Sequence, residues 1–377
     1  MEKVYLVNGV RSAIGTFMGS LKNTKASELG AALVKELLIR SKVSPEDIDE
    51  VIVGNVLSAG LGQGLARQIE VKAGIPIEKT AYSLNMVCGS GMKAVINAAT
   101  SVESDGLIVA GGVEIMSTAP YLVPYKARQG IKMGEQILTD HMIYDSLTDA
   151  FNNIHMGVTA ENVAKKYSIT REEQDSFALS SQKKAIAAVD GGEFDEEILP
   201  IEVADGKKTY TFARDEHPNR ISDEEKLAKL RPAFIPNGTV TAGNASGIND
   251  GGSFVLVAGE EAVKKYKLKP FAELISWGQG GVDPAYMGLG PVPAIRKALK
   301  KAGLKLSDMD YIELNEAFAA QSLGVLHELS AEHGMTQEQI LAKCNVNGGA
   351  IALGHPVGAS GNRIIVTLMH ILKKRKA

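Results

Sequence analysis

The sequence predicts an α/β protein built from two similar halves, with a large insertion in the first half. Three observations lead to this prediction: helical patterns alternate with short apolar strands, their order occurs twice, and a region of different composition separates the two copies. Such alternation is typical of parallel sheets covered by helices. A length of 377 residues suits two domains or one duplicated domain.

The first half follows this order element by element. It opens with the strand pattern "KVYLVNGV" and the helical pattern "ELGAALVKELLIRS". The stretch "VSPEDIDEVIVGN" then supplies a serine at an N-cap position, an acidic turn and an apolar strand. The helix "SGMKAVINAA" follows "NMVC", and the apolar strand "GLIVAGG" comes next.

The second half repeats this order. "PVPAIRKALKKAGL" leads to "KLSDMDYIELNEAFAA", and "SGNRIIVTLM" from Ser360 matches "SGMKAVINAA" from Ser90 in kind and order. The similar spacing indicates a duplicated half-domain rather than a solenoid. The helix from Ser90 is followed by a strand, whereas the sequence after the helix from Ser360 offers none. We therefore expect the second half to lack its last strand, which would leave neighbouring backbone groups unpaired.

The region between the halves is rich in Met, Tyr, His and charge, with helical stretches of its own. One helix has Thr170 at the N-cap and Glu173 three residues later, which predicts a capping box. Such excursions often shape a ligand site. We assign residues 1–119 with 246–268 to the N-terminal half, 120–245 to an inserted loop domain and 269–377 to the C-terminal half.

Composition excludes several classes of function. A net charge of −3 gives no sign of a nucleic-acid surface, and no apolar run reaches membrane-spanning length. Two cysteines cannot form a disulfide framework, which indicates a reducing compartment, and neither a signal peptide nor a peroxisomal tripeptide is recognisable. We expect a cytoplasmic protein without a metal site or resident cofactor, since the glycine-rich segments lack P-loop and dinucleotide patterns.

Three motifs carry candidate catalytic side chains. Cys88 in "NMVCGSGM" lies at a predicted helix start, where a lowered pKa and free N–H groups favour a nucleophile and an oxyanion site. His355 in "GHPVGASG" could accept the thiol proton, and Asn315 in "ELNEAF" could orient a water or donate to an oxyanion. Taken singly, each residue could instead be structural: a small residue in a tight turn, a turn-capping histidine and a turn-forming asparagine.

Taken together, these motifs resemble the thiolases, which make or cleave acyl-CoA chains. "VCGSG", "NEAFAAQ" and "GGAIALGHPVGASG" occur in the family's order, and further matches such as "AGGVEIMS" and "TVTAGNASGINDGG" extend the resemblance over nearly the whole chain. "HMG" at 155–157 resembles the short-chain biosynthetic class. The resemblance implies a five-layer αβαβα fold of duplicated half-domains with an inserted loop domain, and it also implies a homotetramer or homodimer, with the segment "YLVPYKARQGIKMG" as the tetramer loop.

The resemblance also implies roles for individual residues. Cys88 would carry the acetyl group as a thioester, and His355 would activate it and bind a thioester oxygen together with a water held by Asn315. His155 and Ser246 would contact the pantetheine arm, and Arg220 would approach the adenine end. The tunnel would be lined by Leu147, Met156, Phe234, Ala242, Met287 and Ala317. Acetyl-CoA, acetoacetyl-CoA and coenzyme A would be the substrates and products.

One departure from the family pattern leaves alternatives open. The family has a second cysteine in a Cys-x-Gly-Gly-Gly turn, which removes the α-proton of the second acetyl-CoA. This motif does not occur in the sequence, and Cys344 does not match its position. The chain could be a truncated or degenerate thiolase limited to acyl transfer onto Cys88 or to acyl-CoA binding. It could also be a decarboxylative ketosynthase-like enzyme with a Cys-His-Asn trio, whose enolate forms by loss of CO2.

Overall fold

The structure is a computed structural model that describes residues 3–376. The strands are β1 (Val4–Ser12), β2 (Gly15–Thr16), β3 (Glu50–Gly54), β4 (Thr80–Leu84), β5 (Leu107–Ile115), β6 (Tyr121–Leu122), β7 (Thr139–Asp140), β8 (Thr148–Asp149), β9 (Ile154–His155), β10 (Ile198–Leu199), β11 (Ile201–Asp205), β12 (Lys208–Phe212), β13 (Asn249–Gly259) and β14 (Ala272–Glu273). The helices are α1 (Ala26–Ser41), α2 (Leu65–Ala73), α3 (Ser90–Ser101), α4 (His141–Ser146), α5 (Met156–Tyr167), α6 (Arg171–Asp190), α7 (Glu224–Ala228), α8 (Glu260–Lys265), α9 (Pro291–Ala302), α10 (Ala319–His333), α11 (Gln337–Leu341), α12 (Ala350–Leu353) and α13 (Val357–Arg375).

A mixed sheet with the order β10-β1-β13-β5-β3-β4 forms the centre of the first half. The β1–β13 and β13–β5 pairs are antiparallel, whereas β5–β3 and β3–β4 are parallel, and β14 adds to β1. Strands β5 and β13 are buried along their whole length. Both faces of the sheet are therefore covered, as expected for strands that are apolar at consecutive positions.

Alternate residues of these strands enter two different hydrophobic clusters. Val109 and Leu256 pack with α1 and α2 on one face, whereas Ile108 and Val255 pack with α3 and α13 on the other. This alternation follows from the two-residue period of a strand. Helix α13 belongs to the second half, so the two halves share the helical layer formed by α3 and α13.

The second half is organised around a short parallel pairing between Ile312 and Cys344. Leu314 and Cys344 pack on one side against α9, α10 and α11, while Glu313 on the other side faces Arg363 of α13. From α1 and α2 to α9, α10 and α11, the layers alternate helix, strand, helix, strand, helix. The α/β class and five-layer order predicted from the sequence agree with this arrangement, although the second strand layer is thin within residues 3–376.

The inserted region has its own helices and hairpins. Helix α6 begins with the predicted capping box, in which the Thr170 hydroxyl accepts from the Glu173 N–H and the Glu173 carboxylate accepts from the Thr170 N–H. Arg11 of β1 anchors the insertion to the first sheet. Its side chain is fully buried and donates to Glu197 Oε1 at 2.6 Å and to the Asp215 carboxylate at 2.7 and 2.9 Å.

Replacing this buried arginine tests the anchor. Arg11→Met leaves Glu197 and Asp215 as buried carboxylates without their cation. We expect the free energy of unfolding to fall by about 3–5 kcal/mol, the usual cost of breaking a buried pair from one side. Denaturant unfolding followed by circular dichroism measures this change.

Arg220→Met is the matched control. Arg220 also forms a bidentate ion pair, with the carboxylate of Asp190, but this pair lies at the surface. Exposed pairs contribute little to stability. The control should leave the unfolding midpoint unchanged, and equal effects of the two substitutions would contradict the assigned anchor.

Candidate active site

Cys88 occupies a tight turn between β4 and α3. The Ser90 hydroxyl donates to the Val87 carbonyl at 2.7 Å and accepts from the Met86 N–H at 2.8 Å. Val87 is a β-branched residue in the left-handed region, with φ of 45°. This conformation costs energy and is kept only where the surroundings impose it. The turn therefore holds the thiol in one place at the start of α3.

Glycines allow the start of α3 to approach the start of α13 closely. A Cβ atom on Gly91 would lie 2.7 Å from the backbone nitrogen of Asn362, and one on Gly361 would lie 2.7 Å from that of Met92. Side chains at either position would thus separate the two helices. As a result, Cys88 packs against a cluster that contains Val357, the first residue of α13.

The expectation of an acidic thiol was wrong. Burial raises the pKa of Cys88 to about 11, and the nearby Glu114 carboxylate adds to the increase, whereas the hydrogen bond from the cysteine's own N–H only partly opposes it. The desolvation of the thiolate outweighs the favourable position at the helix start. Cys88 is consequently a neutral thiol at neutral pH and needs a base to become a nucleophile.

His355 is the candidate for that base. Its ring is buried just before α13, with Nδ1 at 2.5 Å from Ser360 Oγ and Nε2 at 3.4 Å from Asn315 Nδ2. The backbone N–H of His355 donates to Asn249 Oδ1 at 2.9 Å. Burial, and secondarily the charge of Arg363, lowers the pKa of His355 to about 4. The imidazole is therefore neutral at neutral pH and has a nitrogen available to accept a proton.

Asn315 lies beside His355, and both residues belong to the second half. It follows Leu314, whose N–H donates to Asn345 Oδ1 at 2.9 Å. The next residue, Glu316, is buried and accepts from Ser181 Oγ at 2.6 Å and from Asn345 Nδ2 at 2.7 Å. These bonds fix the backbone on both sides of Asn315, so its amide is held beside the histidine ring.

A buried carboxylate, Glu114, joins the elements that meet at this site. It accepts from the N–H groups of Val56, Leu57 and Gly358 at 2.8, 3.1 and 3.1 Å and from Asn55 Nδ2 at 2.8 Å. Burial raises its pKa to about 7 despite these four donors. Glu114 therefore ties the ends of β3 and β5 to the first turn of α13.

Most of the expected tunnel residues lie together. Met156, Phe234, Met287 and Ala317 belong to one hydrophobic cluster, and the His155 ring stacks on Phe234 with centroids 4.8 Å apart. Two more residues connect to this group through backbone bonds. The Ser246 N–H donates to the Ala317 carbonyl at 2.9 Å, and the Met156 N–H donates to the carbonyl of Leu147 at 2.8 Å. Leu147 itself packs in the cluster of Cys88.

Ala242 and Arg220 lie apart from that group. Ala242 lines a neighbouring cavity of about 310 Å³ together with His217, Asn219 and Lys226. Arg220 instead pairs with Asp190, 2.8 Å away on the surface, so its sequence neighbours rather than Arg220 itself line the cavity.

Cys344 does not approach the candidate nucleophile. It is buried in the cluster formed by α9, α10 and α11, where burial raises its pKa to about 12. Cys88 lies in a different cluster. Ser360 and Asn249 hold His355 but were not among the residues predicted for the site, although Ser360 is the counterpart of Ser90 in the repeat. Their roles could not be read from the motif alone, because both depend on contacts made across the fold.

The half-buried thiol of Cys88, the neutral imidazole of His355 and the amide of Asn315 lie at the junction of the two half-domains and have the residue types of an acyl-transfer site. Comparison with known families is consistent with this class. The model of the thiolase N-terminal domain matches residues 4–261, and that of the thiolase C-terminal domain matches residues 268–377. The chain belongs to the thiolase family.

Individual relatives agree with this membership. The chain is 51% identical over 377 residues to an acetyl-CoA acetyltransferase of Escherichia coli, covering 100% of this chain and 94% of the relative. It is 51% identical to the acetyl-CoA acetyltransferase of Pseudomonas aeruginosa, with the same coverage of both chains. The crystal structure of a Bacillus anthracis acetyl-CoA acetyltransferase superimposes with a TM-score of 0.94 at 42% identity, covering 100% of this chain and 93% of that one.

The acidity of Cys88 gives a testable pH dependence. Only the thiolate reacts with iodoacetamide, so a pKa of about 11 predicts an alkylation rate that rises about tenfold per pH unit from pH 7 to pH 10. Alkylation followed by mass spectrometry measures this rate. The Cys88→Ser variant is the control, because Cys344 is only 5% exposed and should remain unlabelled. A rate that is already constant below pH 8 would reveal a thiolate and contradict the assignment.

Proposed function

We propose that the chain is an acetyl-CoA C-acetyltransferase that transfers an acetyl group through a thioester on Cys88, in the direction of acetoacetyl-CoA synthesis or of its thiolysis. One observation carries the proposal: a neutral His355 with Asn315 beside its Nε2 lies at the start of α13, packed against the helix that begins after Cys88. Full-length similarity to acetyl-CoA acetyltransferases supports the same activity.

The first half of the reaction follows from these residues. His355 Nε2 takes the proton of the Cys88 thiol as the sulfur attacks the thioester carbonyl carbon. The negative charge then develops on the thioester oxygen, where an N–H of protonated His355 and a water held by Asn315 would stabilise it. The carbon–sulfur bond to coenzyme A breaks, and the departing thiolate takes the proton from His355. Cys88 is left as the acetyl thioester.

We propose that the substrate lies along the hydrophobic cluster around Phe234 and the cavity beside it. His155 and Ser246 would contact the pantetheine arm, and the apolar group around Phe234 would form the tunnel wall beside it. The adjacent cavity lined by Ala242 would receive the distal part of coenzyme A, with Lys226 as a cation at its wall. Arg220, expected at the adenine end, would have to leave Asp190 to take part.

Two other activities considered from the sequence have less support. A decarboxylative ketosynthase would share the cysteine, histidine and asparagine, but the relatives from Escherichia coli and Pseudomonas aeruginosa are named acetyl-CoA acetyltransferases. A scaffold that only binds acyl-CoA would not need His355 to be held by three separate hydrogen-bonding groups. We also propose that no resident cofactor takes part, since coenzyme A thioesters are themselves the substrates.

We propose that the protein is cytoplasmic. No helix within residues 3–376 is long and apolar enough to cross a membrane. Both cysteines are free thiols, which suits the reducing conditions of the cytoplasm. We retain the division into 1–119 with 246–268, 120–245 and 269–377 as the proposed domain boundaries.

A homo-oligomer, tetrameric or dimeric, is proposed from the inserted region. Residues 121–138 carry large apolar side chains at the surface, with Met133 95% and Ile137 80% exposed. Apolar surface of this kind marks an interface.

Intact mass spectrometry after mixing with acetoacetyl-CoA tests the acetyl-enzyme. We expect the mass to increase by one acetyl group in the native chain and not in Cys88→Ser, because Cys88 packs in the cluster of Val357 at the start of α13, whereas Cys344 packs in a different cluster. Cys344→Ser is the matched control and should acquire the acetyl group like the native chain. No acetylation of the native chain, or acetylation lost in Cys344→Ser alone, would refute the proposed site.

The oligomer proposal has its own test. Replacing Met133 and Ile137 with lysine should shift sedimentation velocity towards smaller species, since two charges would be buried in the interface. Ile39→Lys is the control, because Ile39 is 70% exposed but lies on α1, outside residues 121–138. Native protein that sediments as a monomer would end the proposal.

A further inference from the structure

Ser360 lies in the first turn of α13, five residues after His355, and its hydroxyl makes two contacts. Its Oγ is 3.0 Å from the carbonyl oxygen of Pro356 and 2.5 Å from His355 Nδ1. The serine, the proline and the histidine are all buried, with Ser360 2% and His355 5% exposed. Solvent therefore has little access to these hydrogen bonds.

The direction of the two bonds follows from which atoms carry hydrogen. A carbonyl oxygen can only accept, so the hydroxyl hydrogen of Ser360 points to Pro356. The Oγ lone pairs then face His355, and the Nδ1 atom must supply the hydrogen of the 2.5 Å contact. A neutral imidazole carries one N–H, so Nε2 is left with a lone pair.

The contact on the other side of the ring is compatible with the same arrangement. Asn315 presents its amide nitrogen, a donor, to Nε2 at 3.4 Å. A donor at that position matches a lone pair and would clash with an N–H. Among the described residues, Ser360 and Asn315 are the side chains that hydrogen-bond the His355 ring, and neither is a carboxylate.

From these contacts we infer that Ser360 is a positioning residue that fixes His355 in the tautomer with hydrogen on Nδ1, leaving Nε2 as the base for the Cys88 thiol. The serine thus does for this histidine what a carboxylate does in many triads, but without a negative charge beside the ring. The inference deepens the proposed function and rests on it for its catalytic meaning.

The tautomer has two consequences for the reaction. Before acylation, the Nε2 lone pair can take the thiol proton directly. After that transfer, the Nε2–H group can donate a hydrogen bond to the developing oxyanion, while the Nδ1–H group continues to donate to Ser360 Oγ. The opposite tautomer would place hydrogen on the nitrogen that has to accept one, so the first proton transfer would need a prior rearrangement.

Asn249 supports the same geometry from the backbone. Its Oδ1 accepts from the His355 N–H at 2.9 Å, and its Nδ2 donates to the Gly15 carbonyl at 3.0 Å. Gly354 makes room for this side chain, since a Cβ there would lie 2.6 Å from the Asn249 amide. The histidine is therefore held at its backbone by β13 and at its ring by α13.

Nitrogen-15 NMR of histidine-labelled protein at pH 7 tests the tautomer directly. The protonated and unprotonated ring nitrogens of a neutral imidazole have well-separated shifts, and His355→Gln identifies the His355 signals among the seven histidines. We expect the hydrogen on Nδ1 in the native protein. Hydrogen on Nε2 would overturn the inference, whatever the activity. Missing acetylation with the expected tautomer would refute the proposed function alone.

Variants of Ser360 connect the tautomer to the rate. In Ser360→Ala we expect mixed tautomers and an acetylation rate of Cys88 that is roughly ten- to a hundredfold lower, with an unchanged half-saturating substrate concentration. Ser360→Thr keeps the hydroxyl and should retain the native tautomer. An alanine variant that keeps the native tautomer and rate would overturn the inference.

A control on the same helix separates this role from stability. Thr367 is buried in α13, and its hydroxyl donates to Glu197 Oε1 at 3.1 Å, away from His355. Thr367→Val should lower stability by an amount similar to Ser360→Ala and leave the tautomer and the acetylation rate unchanged. Equal loss of rate in both variants would mean that the rate follows stability and that Ser360 has no positioning role.

Discussion

The close crossing of α3 and α13 is the constraint on which the rest of the structure depends. Gly91 and Gly361 let the backbones of these helices touch, and a side chain at either position would separate them. The crossing brings the turn of Cys88, from the first half, to the turn of His355, from the second. The first sheet supports both helices on one face, so the site lies where the two halves share a layer.

Burial at this crossing determines the chemistry. Removing water weakens Cys88 as an acid and His355 as a base, so the resting pair is a neutral thiol and a neutral imidazole. Acylation then depends on a proton transfer between correctly placed atoms rather than on a thiolate formed in advance. Hydrogen bonds that hold the histidine ring, from Ser360 and Asn315, therefore matter more for the site than local charge.

The sequence allowed much of this to be predicted. The alternation of apolar patterns gave the α/β class, and the two copies of the pattern gave the duplicated halves. Capping residues such as Thr170 were identified correctly because a cap involves neighbours only three residues apart. Cys88, His355 and Asn315 were candidates because each lies in a glycine- or strand-bounded motif, and the structure brings the last two within 3.4 Å.

Other features could not be predicted, because they depend on contacts between distant segments. The sequence by itself determined which residue types lie at each turn and which strands are apolar at consecutive positions. Only the tertiary structure decided the acidity of Cys88, since desolvation by surrounding elements exceeds the effect of the local helix start. It also decided that Arg220 pairs with Asp190 and that the ring of His355 is held by Ser360, because side-chain partners are chosen by three-dimensional proximity.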